Sequence, residues 1–251
     1  MSLGEVVAIA LAGLAAGTIN TLVGSGTLIT FPVLLAFGYA PVTANVSNTI
    51  GLVPGSASGA IGYRRELGGQ RHRVLRLGSM SVLGGITGAV LLLVLPASAF
   101  KAIVPVFIAL ALVLTLLQPR LNRWLARREI DLERKGSLIT PLAVYATGVY
   151  GGYFGAAQGI LLLGILGVTL AQDLQRTNAL KNVLAGLANG VAGVYFIFAA
   201  HVAWGPAAII AGTSIVGAQL GARYGRRLPQ SGLRAIVVVV GIAAIVRLLT
   251  E

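Results

Sequence analysis

Two six-residue stretches carry the side chains best suited to chemistry. ANVSNT, Ala44 to Thr49, sets Asn45 and Asn48 three positions apart, and TNALKN, Thr177 to Asn182, sets Asn178, Lys181 and Asn182 at i, i+3 and i+4. In a helix each set lies on one face. Amides gathered there can replace the hydration shell of a polar solute. A lysine within an apolar helix adds a positive charge, which directs the expectation toward an anion. The other reading of Lys181 is a side chain that lays its methylenes along the helix and keeps its ammonium in interfacial water, since it stands close to the start of its apolar run.

Ahead of each polar stretch lies a glycine-rich break, GSGT at Gly24 to Thr27 and GAAQG at Gly155 to Gly159. The apolar pieces that follow, 28–38 and 159–170, cover about 16–18 Å at about 1.5 Å per residue, roughly half of a hydrocarbon core. They read as discontinuous or re-entrant helices, which membrane depth tolerates only where protein or a watery cavity satisfies the backbone. The N-terminus of such a half-helix offers unpaired N–H groups and the positive end of a dipole, suited to an anion. Ser25 and Thr27 are expected as caps for the first half-helix and Gln158 for the second. The other use of glycine is close helix packing, expected at Gly84/Gly88, Gly186/Gly190 and Gly217/Gly221; faces of this kind also make a homodimer an expectation.

The elements that must position these residues are membrane helices. Charged residues are 10% of the chain and hydrophobic ones 56%, with a mean hydropathy of +0.88, whereas soluble domains carry about 25% charge. All seven acids (Glu5, Glu66, Glu129, Asp131, Glu133, Asp173 and Glu251) fall at chain ends or in segments that read as loops. The net charge of +12 comes from basic residues clustered in short loops without interleaved aromatics, so no nucleic-acid partner is expected. The lipid bilayer is the expected surrounding. MSLGEVV has an acid and no basic region, so the first apolar run is expected to stay rather than be cleaved.

Apolar runs long enough to span occur at 4–23, 44–63, 74–95 and 99–117 in the first half, and at 138–154, 177–199, 207–224 and 232–249 in the second. The halves match in order. LPASAFKAIV returns as LPQSGLRAIV at an offset of 133 residues (Leu95 to Leu228), as does Asn45 at Asn178; Gly17 and Gly24 return at Gly148 and Gly155, at an offset of 131. The expected organisation is a first transmembrane repeat at 1–117, a basic cytoplasmic linker at 118–137 and a second repeat at 138–251.

Lysine and arginine mark the cytoplasmic side. They cluster at 64–76 (Arg64, Arg65, Arg71, Arg73, Arg76), in the linker (Arg120, Arg123, Arg127, Arg128, Arg134, Lys135) and at 223–234 (Arg223, Arg226, Arg227, Arg234). The repeat counterpart of the first cluster is HVAWGP at 201–206, where His201 and Trp204 read as interfacial anchors, and that of the last holds only Lys101. Counterpart loops thus fall on opposite sides, the mark of an inverted-topology repeat. Arg176 and Lys181 also count to the inside, and Lys101 and Arg247 to the outside. The expected fold class is an all-α integral membrane protein of the cell's inner (plasma) membrane, multi-pass, each half a broken or re-entrant hairpin plus three transmembrane helices.

The order GTINTLVGSGTLITFPVLLAFGYAPVTANVSNTIGLVPGSASGAIGYRR resembles the first half of the TauE/SafE membrane proteins, the sulfite and organosulfonate exporters. GVYGGYFGAAQGILLLGILG, TNALKN and AGVYFIFAAHVAW resemble that family's second copy, so the likeness covers essentially the whole chain. The resemblance implies movement of sulfite, sulfonates or related small anions outward from the cytoplasm. By position it implies a site around Gly24, Ser25, Gly26, Ser47 and Asn48, and around Gly155, Ala156, Ala157, Leu180 and Lys181. The family's glycine run stands here as GSG and GAAQG, and its Thr-Ser pair as Ser47-Asn48 and Leu180-Lys181.

The combined expectation is a secondary transporter that holds a small anion between its two repeats and exposes it alternately to each side. An anion channel or uniporter is the alternative, and a non-transporting scaffold is weaker. An enzyme is not expected, for there is no HExxH, no GxSxG and no carboxylate pair within a span. No metal or cofactor is expected either, with no cysteine and only His72 and His201, both in loops.

Overall fold

The computed structural model describes residues 1–127, 139–170, 172–224 and 230–250. Of the charges used above, Glu129, Asp131, Glu133, Glu251, Arg128, Arg134, Lys135, Arg226 and Arg227 lie outside the described residues, as do the side chains of Arg234 and Arg247. Every regular element among the described residues is an α-helix: α1 (Leu3–Leu22), α2 (Thr27–Ala36), α3 (Pro41–Gly62), α4 (Arg71–Val94), α5 (Ala97–Arg127), α6 (Ile139–Tyr153), α7 (Gln158–Thr169), α8 (Leu174–Ala199), α9 (Trp204–Tyr224) and α10 (Gln230–Thr250).

Local chemistry fixes several helix starts. Ser2 and Glu5 form a reciprocal capping box on α1, with Ser2 N–H to Glu5 Oε2 at 2.9 Å and Glu5 N–H to Ser2 Oγ at 3.3 Å. Asp173 accepts the Arg176 N–H at 2.9 Å to start α8. Pro41, whose missing N–H would have no helical partner, opens α3.

Among the described residues, five helices are long and apolar enough to cross a membrane: α1, α4, α5, α8 and α9. Large apolar side chains such as Phe198, Val94 and Val106 face outward, as lipid requires. With 10 and 12 residues, α2 and α7 reach only about 15–18 Å, too short to cross a hydrocarbon core of about 30 Å. α3 is long enough but polar, with Asn45, Ser47, Asn48, Thr49 and Ser58 all buried by its neighbours.

The main helix pairings interchange when α1–α5 are exchanged for α6–α10. α1 packs on α9 as α6 packs on α4; α3 on α9 as α8 on α4; α2 on α10 as α7 on α5; and α3 against α8 joins the halves. Glycine sets the two closest interfaces. A Cβ on Gly84 or Gly88 would come within 2.3 and 2.0 Å of the Tyr145 and Val149 carbonyls of α6, and one on Gly217 or Gly221 within 2.0 and 2.8 Å of the Leu14 and Thr18 carbonyls of α1. These faces are therefore filled inside the chain, and the homodimer expected through them finds no free surface there. Gly186 and Gly190 face α3 more loosely: an added Cβ would meet Ser56 at 3.6 Å and Val53 at 4.0 Å, ordinary van der Waals contact.

One boundary differs from expectation. α5 runs to Arg127, well into the segment read as a linker. Leu121 and Leu125 keep an i, i+4 apolar stripe through the basic residues and lie against Gly164 and Gly167 of α7, so packing extends the helix past the membrane charges.

Candidate functional site: a polar cavity where the two breaks meet

The helix ends at the two breaks are built alike. Gly24 N–H reaches back to the Ile19 carbonyl at 3.0 Å and Gly155 N–H to the Tyr150 carbonyl at 3.0 Å, with φ of +87° and +76°. Such φ values suit glycine, which closes helices of this type. The breaks then touch: Gly159 N–H donates to the Gly24 carbonyl at 3.2 Å, and a Cβ on Gly24 would stand 2.4 Å from Gly159 Cα.

Each polar helix secures the broken helix of the opposite half. From α3, Asn45 Nδ2 donates to the carbonyl of Tyr153 at the end of α6, at 2.9 Å. From α8, Asn178 Nδ2, Lys181 Nζ and Asn182 Nδ2 all donate to the carbonyl of Thr21 at the end of α1, at 3.4, 3.3 and 3.3 Å, and Lys181 Nζ also to that of Asn20 at 3.3 Å. Carbonyls in a last helical turn have no partner within their helix. At membrane depth these cross-half amides supply one.

Beside the touching breaks lies a small, partly open polar cavity. Three repeat-related pairs line it, Gly24 with Gly155, Thr27 with Gln158 and Ser56 with Asn189, so it straddles the relation between the halves. Asn20, Thr21, Lys181 and Asn182 line it without their repeat counterparts. Lys181 is 1% exposed and is the only charged side chain among the described residues that is so buried. It is also the only ionisable residue in the lining, which holds no carboxylate.

Of the residues singled out in the sequence, Gly24, Thr27, Gly155, Gln158, Lys181 and Asn182 meet at this cavity. The others brace it. Asn48 ties α3 to α2, accepting from Thr30 Oγ1 and donating to Thr27 Oγ1 at 3.4 Å. Ser47 accepts the Ala203 N–H at 2.8 Å. Ala156 and Ala157 are fully buried, and the Ala156 carbonyl accepts the Tyr150 hydroxyl at 2.6 Å. Asn45 and Asn178 hold helix ends, as above.

The capping expectations are corrected. Gly26 is the N-cap of α2, already helical at φ −60° and ψ −34°, and neither Ser25 nor Thr27 caps it; a side-chain cap needs an extended residue there. Ser25 Oγ is buried without a partner. Gln158 is the first residue of α7 rather than its cap, and its Nε2 folds back to the Thr147 carbonyl at 3.3 Å. The half-helix N–H groups are less free than expected: that of Gly26 donates to Asn20 Oδ1 at 3.2 Å and that of Gly159 to Gly24.

Sequence reasoning missed Asn20, Thr21, Ser56 and Asn189. Ser56 and Asn189 stand at the same 133-residue offset as Asn45 and Asn178, so extending the repeat alignment by three turns would have found them. Thr21 takes part through its backbone, which no side-chain pattern reveals.

On the side of the breaks toward Lys101, aromatic rings fill the space. Phe31 packs edge-on against Phe154 at 5.2 Å and Phe100 at 6.5 Å, and Phe107 meets Tyr150, Tyr153 and Phe154 at 5.3, 6.0 and 5.9 Å. On the opposite side, Arg176 Nη2 at the start of α8 donates to the Gly68 carbonyl of the loop after α3 at 2.8 Å, and Arg73 Nη1 at the start of α4 donates to Gln172 Oε1, just ahead of α8, at 2.7 Å.

Comparison with known proteins gives one family. The family model described as "Sulfite exporter TauE/SafE" matches residues 9–248. "Probable membrane transporter protein ORF9" from a Sinorhizobium species is 29% identical over 243 residues, covering 94% of this chain and 89% of its own. "Probable membrane transporter protein YfcA" of Escherichia coli K12 is 28% identical over 243 residues, 94% of this chain and 86% of its own. A "Probable membrane transporter protein" of Haemophilus influenzae is 24% identical over 227 residues, 90% of this chain and 88% of its own.

Proposed function

The chain belongs to the TauE/SafE family of membrane transporters, and on that premise we propose that it carries a small oxyanion, sulfite or an organic sulfonate, out of the cytoplasm by alternating access. The observation that carries this reading is the lining of the cavity: one buried lysine, several amides and hydroxyls, and no carboxylate. A cation buried in a polar cavity attracts a negative solute more strongly than one in bulk water, because the surrounding protein screens it less. Lys181 spends two of its N–H groups on helix-end carbonyls, and a third remains for the anion, with Asn189 and Ser56 lining the same cavity.

Two inverted copies meeting at such a cavity can rock about it and expose it to each face in turn. The aromatic cluster beside Lys101 closes the outer side in this reading, and the arginine-rich side is the mouth toward the cytoplasm. Outward movement of one negative charge is favoured by about 2.3 kcal/mol per 100 mV when the interior is negative.

The test is flux in proteoliposomes holding the purified protein, with sulfite and a short alkyl sulfonate as probes. Saturable uptake accelerated by the same anion on the far side, and cut at least tenfold in Lys181→Ala, is the expected result. Oxyanion flux no greater than in protein-free liposomes overturns the function. Flux that persists in Lys181→Ala and Asn189→Ala removes the site.

A further inference from the structure

The end of α1 is arranged as a site for a cation. Its last turn turns two backbone carbonyls, of Asn20 and Thr21, toward the cavity, at the negative end of the helix dipole. Gly24 N–H passes both by and bonds the Ile19 carbonyl instead. A third oxygen, Gln158 Oε1, is buried without a partner on a residue lining the same cavity. Backbone carbonyls at the C-terminal end of an interrupted membrane helix are the groups with which such helices coordinate alkali cations. Here a lysine ammonium sits on them, at 3.3 Å from each, at the long end of hydrogen-bond distances.

The corresponding place in the other half shows what the site looks like without a cation. There the Tyr153 carbonyl is held by the neutral amide of Asn45. Asn48, the counterpart of Lys181, turns instead to Thr27 and Thr30. One broken helix end is closed by an amide; at the other, the one that lines the cavity, the Asn178 and Asn182 amides share the Thr21 carbonyl with the Lys181 ammonium, which also reaches the Asn20 carbonyl.

We infer that the Asn20 and Thr21 carbonyls form a monovalent-cation site that Lys181 occupies with its own ammonium group, so that the transporter carries a tethered counter-ion and needs neither sodium nor potassium. The inference rests on the anion-transport reading for its purpose, but the cation site can be measured without any anion flux. Removing the ammonium should leave a vacancy that a dissolved cation fills, and a ligand that binds only the folded state raises its melting temperature.

The experiment compares melting of detergent-purified wild type and Lys181→Ala in chloride salts of sodium, potassium, methylammonium and choline at equal ionic strength. Expected is a saturable rise of several degrees for Lys181→Ala in one or more of the small cations relative to choline, and no such difference for wild type. A variant indifferent to cation identity overturns the inference, and so does a wild type stabilised as much as the variant. Lys181→Cys guards against a variant too unstable to purify. The chain has no other cysteine, so aminoethyl methanethiosulfonate restores an ammonium at this position alone, and methyl methanethiosulfonate adds a neutral group. The ammonium adduct should melt as wild type does in every salt, the neutral one lower and in a cation-dependent way; equal behaviour of the two adducts rejects the tethered cation. A failed flux assay with these results intact would remove the anion function and leave the cation site standing.

Discussion

Gly24 and Gly159 face each other across the two breaks, the carbonyl of one accepting the N–H of the other at 3.2 Å. No side chain fits between them, and Gly24 also holds φ at +87°. Gly24→Ala therefore meets two penalties, about 1–2 kcal/mol for a left-handed non-glycine residue and about 1–3 kcal/mol for the forced separation. Gly212→Ala, with nothing within 4 Å of the added methyl, should stay within about 0.5 kcal/mol of the parent. Thermal melting in detergent checks the pair; comparable losses in both would mean that the breaks do not meet as described.

Helix-end support and ligand contact separate by position. Asn45→Ala leaves the Tyr153 carbonyl buried and unpaired, at a cost of about 1–3 kcal/mol, with anion affinity little changed. Asn189→Ala, half-buried on the cavity wall, should weaken anion binding about tenfold while melting near the parent. Titration of sulfite or sulfonate by calorimetry beside a melting curve reads both quantities, and the opposite pattern would exchange the two roles.

These contrasts show what the sequence could and could not carry. Asn45 and Asn178, or Gly24 and Gly155, are legible as repeat partners because the duplication keeps their side chains in register. The breaks and the short helices after them follow from glycine and from length. What stayed hidden depends on backbone groups and on asymmetry. The acceptors of Lys181 are carbonyls of Asn20 and Thr21, which every residue possesses and no residue type announces. Asn48 and Lys181 are repeat partners that point to different places, since a neutral amide is satisfied by two threonine hydroxyls and an ammonium seeks a helix end. The α5 extension was hidden for another reason: its arginines outweigh Leu121 and Leu125 in composition, although those two leucines decide the packing.

Ala157 is the one non-glycine residue with positive φ among the described residues, at +59°. It stands in GAAQG, where a glycine would adopt that backbone freely. Ala157→Gly removes about 1–2 kcal/mol of strain and returns about 0.5–1 kcal/mol of chain entropy to the unfolded state. A net gain between zero and about 1.5 kcal/mol is expected in melting or in denaturant titration. Loss of more than about 1 kcal/mol would show that the alanine methyl, fully buried, contributes packing that outweighs the strain.

The direction in which the cavity opens can be read by chemical labelling, because the chain has no cysteine of its own. Ser56 lines the cavity on α3, the helix that leads into Arg64 and Arg65, and these arginines mark the cytoplasmic face under the positive-inside rule. Phe154 lies among the rings of Phe31, Phe100 and Phe107 and is 1% exposed. A membrane-impermeant thiol reagent should therefore modify Ser56→Cys rapidly in inside-out vesicles and slowly in right-side-out ones, and leave Phe154→Cys unmodified from either side. Sulfite reacts with thiol reagents, so a sulfonate is the protecting probe; at saturating concentration it should slow the Ser56→Cys reaction about tenfold without affecting a cysteine placed at Arg65. Faster labelling of Ser56→Cys from the outer face would reverse the assignment of the two sides, and with it the role of the aromatic cluster as the closed outer gate.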